Sequence, residues 1–169
     1  SAGYEPAPET ALHTFCHAIP GLWHQMGVTL SAAGSVEWLS KLLKGEPAAL
    51  TGALGETVQA PGRLTFLPYG VVAHIPRQGA SIRTLDYAEA MELYEMRAVL
   101  EGVAFSMRDC LEAGGEAARP QRLIAVGAGS RSAYWLQLLA NVLDTEIALP
   151  EAGDFGAAFG AARLGLCAA

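Results

Sequence analysis

The run best suited to chemistry is Leu123-Ile124-Ala125-Val126 followed by Gly127-Ala128-Gly129-Ser130-Arg131-Ser132. A short buried strand that passes through small residues into a helix lets a ligand approach the backbone closely, because glycine has no Cβ in the way. The ligand side is the carboxyl end of the strand, as open α/β sheets generally dictate. Many folds need a two-glycine turn only to reverse the chain, so the run taken alone leaves a purely architectural reading open.

Other residues invite chemistry less well. His13, Cys16, His17 and His24 are all possible metal ligands, but on a strand His13 and Cys16 face opposite sides and no regular four-ligand spacing results. Nothing pairs Cys16 or Cys110 with a base in a nucleophile pattern, and buried structural thiols are expected. Asp86, Asp109, Asp144 and Asp154 read as helix ends and surface charges. Gly153 to Ala162 carries Gly and Ala on one helical face behind Asp154 as N-cap, which predicts a helix lying close to a neighbour and shaping the floor of the pocket.

The elements that must position these residues follow from periodicity. Ser1 to Thr10 reads as a loop or tail, as though the chain begins partway through a larger unit. Leu12–Ile19 and Leu22–Leu30, split by Pro20-Gly21, predict a hairpin. A small-residue turn at Ser31–Ser35 leads into a helix with Val36, Leu39, Leu42 and Leu43 at helical spacing, ending at Gly45. A short helix is predicted over Pro47–Gln59 and a strand over Leu64–Tyr69, whereas Gly70–Arg83 shows the least regular pattern. Asp86 to Glu112 is a long helix whose stripe of Met91, Tyr94, Ala98, Leu100, Val103, Ala104, Met107 and Leu111 marks it as the central packing element. Leu123–Val126, Ala133–Leu143, Glu146–Leu149 and a last helix to Leu166 complete an alternation that argues for an α/β domain.

At 169 residues, half of them apolar, the chain suits one domain with a sizeable core. A formal charge of −6 without a Lys/Arg cluster argues against nucleic acid or anionic membrane as partner. Three cysteines without paired spacing, and no secretory leader or spanning run, predict a cytoplasmic protein.

His13-Thr14-Phe15-Cys16-His17-Ala18, Pro20-Gly21, Trp23-His24 and Met26-Gly27 resemble the xylulokinase branch of the FGGY family of carbohydrate kinases. Leu30-Ser31-Ala32, Gly34-Ser35, Trp38-Leu39, Arg97 through Phe105, Gly127 through Gln137, and Gly153 through Gly165 resemble later blocks of the family in the same order. The resemblance implies an actin-like ATPase, ribonuclease H-like domain, α/β with a mixed sheet flanked by helices. It covers the greater part of the C-terminal, nucleotide-side domain only, with the N-terminal sugar-binding domain absent from residues 1–169.

The resemblance places an adenosine turn on Gly127, Ala128, Gly129 and Ser130 with Ala133 behind it. It places a second nucleotide-facing turn on Ala33 and Gly34, with Glu37 one helical turn on. Ala33, Ala128 and Ser130 stand where smaller residues are usual, so crowding of a nucleotide is expected. After Leu67-Pro68-Tyr69 the loop through Pro76 departs from the family pattern, and Gly79–Arg83 follows it only faintly.

The implied reaction is ATP- and Mg2+-dependent phosphorylation of D-xylulose to D-xylulose 5-phosphate. An aspartate takes the hydroxyl proton while magnesium and backbone donors neutralise the γ-phosphate. In the family that aspartate and a phosphate loop lie upstream of the residues present here, so no catalytic residue is assigned and the isolated chain is expected to be inactive. The alternative is a non-enzymatic, degenerate kinase module that binds nucleotide weakly or contacts another protein. A domain portion of this kind is expected to expose apolar surface and to pair with itself as a homodimer.

Overall fold

The computed structural model describes residues 12–29, 31–62, 64–68, 81–83, 92–115, 119–151 and 156–168. Along the chain these form β1 (His13–Cys16), β2 (Trp23–Met26), α1 (Ala33–Leu43), α2 (Pro47–Gly52), β3 (Thr65–Leu67), β4 (Ser81–Arg83), α3 (Glu92–Ala113), β5 (Arg122–Ile124), α4 (Ala133–Leu143), β6 (Glu146–Ala148) and α5 (Gly156–Ala168). A 3-10 turn at Ala128–Arg131 precedes α4.

The expected hairpin is present: β1 and β2 pair antiparallel, with Phe15 opposite His24. β3 pairs antiparallel with β4 and β5 parallel with β6, so the mixed strand directions are divided over three two-stranded sheets among the described residues. β4 falls inside the segment whose pattern is least regular, because three residues are too few to show an alternation.

The central helix is α3, which packs against α1, α2, α4 and β3. Its Met96, Val99, Leu100 and Val103 have no exposed surface, and with Leu39, Phe66, Trp135 and Leu138 they form one core. Each such side chain contributes roughly 1.5–3 kcal/mol by leaving water. Met91 and the predicted start of this helix lie outside the described residues. Two devices bring its neighbours close. Gly102 abuts β3 so tightly that a Cβ there would lie 2.2 Å from the Phe66 carbonyl oxygen. Gly27, after β2, similarly leaves room for Cys110, whose Cβ would be 2.7 Å from an added one.

A buried ion pair adds a third link. Arg97 Nε donates to Glu101 Oε1 at 2.8 Å, both side chains being about nine-tenths buried. The pair reaches out of the helix to the segment before β3. Glu101 accepts from the Gly62 N–H at 3.2 Å, and Arg97 donates to Gln59 Oε1 at 3.4 Å and to the Ala60 carbonyl. At the far end of α3, Arg108 donates to the Val142 carbonyl at 2.9 Å and so caps the last turn of α4.

Four expectations are corrected. Leu42 sits at helical spacing on α1 but is 61% exposed, because α3 covers only the Val36–Leu39 side. The strand before Gly127 is not buried: Ile124 and Val126 are more than half exposed, since among the described elements β5 has only β6 beside it. Cys16 and Cys167 are exposed rather than buried thiols, and only Cys110 is partly covered. The small-residue face of α5 meets no neighbour among the described residues either. Residues 156–167 are exposed, and a Cβ added at Gly156, Gly160 or Gly165 would find nothing within 4 Å. Glycine and alanine offer too little apolar area to dock a helix without a surface built to match. Asp154, the expected N-cap, lies outside the described residues.

Gly102→Ala tests the closest of these contacts. The clash is with backbone, which cannot swing aside, so denaturant unfolding is expected to show a loss of about 3 kcal/mol. A loss under about 0.5 kcal/mol would mean that the helix and β3 are not held this close.

Candidate functional site

The turn after β5 is shaped by local hydrogen bonds. Gly127 has φ +88°, a conformation that side chains disfavour. Its carbonyl then accepts from the Ser130 N–H at 3.1 Å and from Ser130 Oγ at 2.7 Å. Ser132 Oγ accepts from the Trp135 N–H at 3.3 Å as the N-cap of α4. Gly129 faces the Trp135 ring, and a Cβ there would lie 2.8 Å from Cζ3. The second glycine of the turn therefore makes room for Trp135 of α4.

On the other side, Ser35 Oγ donates to the Ser31 carbonyl and lies 3.0 Å from Ser31 Oγ, tying the turn to the first coil of α1. Thr51 Oγ1 donates to the Pro47 carbonyl at 2.8 Å within α2. Between these parts opens a cleft of about 650 Å³, within the range of small-molecule sites. Ala33, Val36 and Glu37 of α1 form one wall. Pro47, Ala48, Thr51 and Gly52 of α2, with Gly55 and Glu56 beyond it, form the second. Ala128, Gly129 and Arg131 through Trp135 form the third.

Five of the eight expected residues thus share one cleft: Ala33, Glu37, Ala128, Gly129 and Ala133. Gly34, Gly127 and Ser130 are not in its lining. Gly34 is the second residue of α1, and among the described residues an added Cβ there would meet only Ser31 Oγ, at 3.8 Å. The Ser130 hydroxyl is turned back onto the Gly127 carbonyl. The whole α2 wall was absent from the expectation. It has no motif, and only Pro47 and the spaced Gly52 and Gly55 hint at it. No residue of α5 lines the cleft, contrary to its expected role in the floor.

The electrostatics are mixed. The first residues of α1, α2 and α4 (Ala33, Pro47 and Ala133) all line the cleft, and helix N-termini carry partial positive charge that favours anions. Glu37 opposes this at the rim. Lys41 Nζ lies 2.8 Å from it, and that hydrogen bond and charge hold its carboxyl below the ordinary value. Burial pushes the Tyr134 hydroxyl above the ordinary tyrosine value. The nearby Arg97 charge and a hydrogen bond with the Gln59 backbone pull the other way, while Glu101 raises it further.

Among the described residues no group of three or more His, Cys, Asp and Glu is placed to hold a metal. The arrangement suits a flat, largely apolar ligand bearing an anionic group, and its lining among the described residues holds no nucleophile–base pair. A second hollow of about 280 Å³ lies against α3 and β3, beside Gly62, Phe66 and Phe105, and contains none of the expected residues.

A profile of the FGGY family of carbohydrate kinases, C-terminal domain, matches residues 3–169. The chain belongs to this family. It is 35% identical over 175 residues to the xylulose kinase of Escherichia coli (strain K12), covering all of this chain and 36% of that protein. Among solved structures it is similar to a xyloylose kinase from Brucella ovis (52% identity, TM-score 0.85, covering 98% of this chain and 36% of that one). It is also similar to the xylulose kinase from Rhodospirillum rubrum (28% identity, TM-score 0.73, 97% and 35% covered). The FGGY chain described here therefore spans about a third of the length of the relatives it matches, and its fold is the actin-like ATPase fold of those kinases.

Two measurements check the site's construction. Gly34→Ala is expected to raise stability by about 0.5 kcal/mol, because its space is open and alanine suits a helix, whereas Gly129→Ala is expected to lower it by about 1–3 kcal/mol. Equal effects would contradict the packing role given to Gly129. In an alkaline absorbance titration, Tyr134 should ionise above the ordinary tyrosine value of 10.0, identified by the signal that Tyr134→Phe removes. The folded state holds this proton more tightly than the unfolded one, so the associated stability is full below that pH and declines as pH rises through the folded value. Ionisation at the ordinary pH would show that the ring is not enclosed.

Proposed function

We propose that this chain is the nucleotide-side part of an ATP-dependent xylulose kinase, residues 1–169 forming the greater part of its C-terminal domain. The observation that carries the reading is the single cleft shared by the turns at Ala33 and at Ala128–Gly129, which are far apart in sequence. Family membership, and relatives named xylulose kinase, supply the reaction class. The sugar substrate, ATP and a cytoplasmic location follow from the same reading. No helix among the described residues is long and apolar enough to cross a membrane, in keeping with that location.

The small residues of the walls admit the flat face of an adenosine group, and the N-termini of α1 and α4 favour its phosphates. Phosphoryl transfer also needs a base for the sugar hydroxyl and charge neutralisation at the γ-phosphate. Magnesium in nucleotide sites is held through one or two carboxylates together with waters and the substrate's own phosphates, and Glu37 and Glu56 are the carboxylates of the cleft lining. The contribution of these residues is to bind and orient the nucleotide. A second reading, self-association as a homodimer, is supported by exposed Phe15, Ile19, Ile124, Val126 and Leu149.

The reading is tested by titrating the purified chain with ADP in a calorimeter and assaying it with ATP and D-xylulose. Weak ADP binding is expected, lost at least tenfold in Ala33→Trp, a substitution at an exposed cleft residue that leaves the melting temperature unchanged. No sugar phosphorylation is expected from these residues alone. Unchanged affinity in Ala33→Trp, or turnover by the pure chain, would overturn it.

A further inference from the structure

The buried Arg97–Glu101 pair lies outside the cleft lining, yet it holds the segment that continues from the α2 wall, the wall that sequence patterns place least well. Glu101 accepts from the Gly62 N–H and Arg97 donates to Gln59 Oε1 and the Ala60 carbonyl, so the segment that leaves Glu56 is fastened to α3. On the α4 side Tyr134, 3% exposed and part of the cleft lining, shares a hydrogen bond with the Gln59 backbone and lies within the fields of both Arg97 and Glu101. The ion pair therefore fastens Gln59, which follows the α2 wall in sequence and meets Tyr134 of the α4 wall.

We infer that Arg97 and Glu101 are positioning residues that set the separation of the α2 and α4 walls, and through it the affinity of the cleft for adenine nucleotide. Three directed donors on one planar guanidinium are needed, for Glu101, Gln59 and Ala60 together, and a lysine ammonium on a flexible stem does not reproduce that fork. The inference rests on the nucleotide reading proposed above.

The test uses the 169-residue chain in two variants. Arg97→Met/Glu101→Leu removes both charges while keeping apolar volume, an exchange that often leaves stability intact. Arg97→Lys keeps a cation beside Glu101. For each, ADP affinity is measured by calorimetry and amide hydrogen exchange is followed at Gly62, Tyr134 and Trp135. Expected are roughly tenfold weaker ADP binding and faster exchange at those amides in the double variant, with the melting temperature near that of wild type. Arg97→Lys should lie between. If the double variant does not fold, Arg97→Lys decides alone. Wild-type affinity and wild-type exchange in the folded variants overturn the inference while leaving the nucleotide reading intact. A wild-type chain that binds no ADP overturns both.

Discussion

Arg97 and Glu101 are two full charges held away from water inside α3, each about nine-tenths buried. Desolvating an ion costs several kcal/mol, offset only when its partners are close and its remaining donors and acceptors are used. This requirement reaches beyond the helix. The spare donors of Arg97 find Gln59 and Ala60, and the spare lone pairs of Glu101 find Gly62. A segment without regular structure is thereby fixed, and with it the direction in which α2 faces α4. Gly102, one residue on, lets β3 close against the same helix. The family block from Arg97 to Phe105 is thus a fastening and packing device with no group that touches the cleft.

The cleft inherits its shape from that hub. Its walls include the first residues of three helices together with the end of α2, and Ala33, Ala48, Gly52, Gly55, Ala128, Gly129 and Ala133 keep much of the lining small. The same logic divides the two glycines of the turn. Gly127 supplies a left-handed backbone conformation, while Gly129 makes room for Trp135, which anchors α4 in the core. Neither role requires a ligand, yet together they leave the alanines at 128 and 133 facing the alanine at 33 and the carboxylate of Glu37 across a space of ligand size. A site for binding follows; a site for bond-making does not.

Much of this was legible in the residues. The hairpin around Pro20-Gly21, the helix from Ala33, the apolar stripe of α3 and the helix Ala133–Leu143 with its Ser132 cap all announce themselves through turn chemistry and periodicity. Five of the eight expected site residues meet in one cleft. What periodicity does not carry is the identity of neighbours. The wall from Pro47 to Glu56 has no pattern of its own and is placed by the packing of Leu50 and Leu54 on the core and by the hold of Arg97 and Glu101 on the segment that follows it. Exposure at Leu42, Ile124 and Val126 likewise depends on which surfaces lie opposite, a property of the assembled fold. The same holds for α5, whose Gly/Ala face is a necessary but not a sufficient condition for close packing.

Whether residues from three separated segments form one adenine-nucleotide site is measured most directly by a map of backbone amide chemical shifts as ADP is added to the isotope-labelled chain. Concerted, saturable shifts are expected at Ala33 and Glu37, at Thr51 and Gly52, and at Ala128 and Gly129. Shifts confined to the hollow beside Phe66 and Phe105, or none at saturating ADP, would contradict a single shared site.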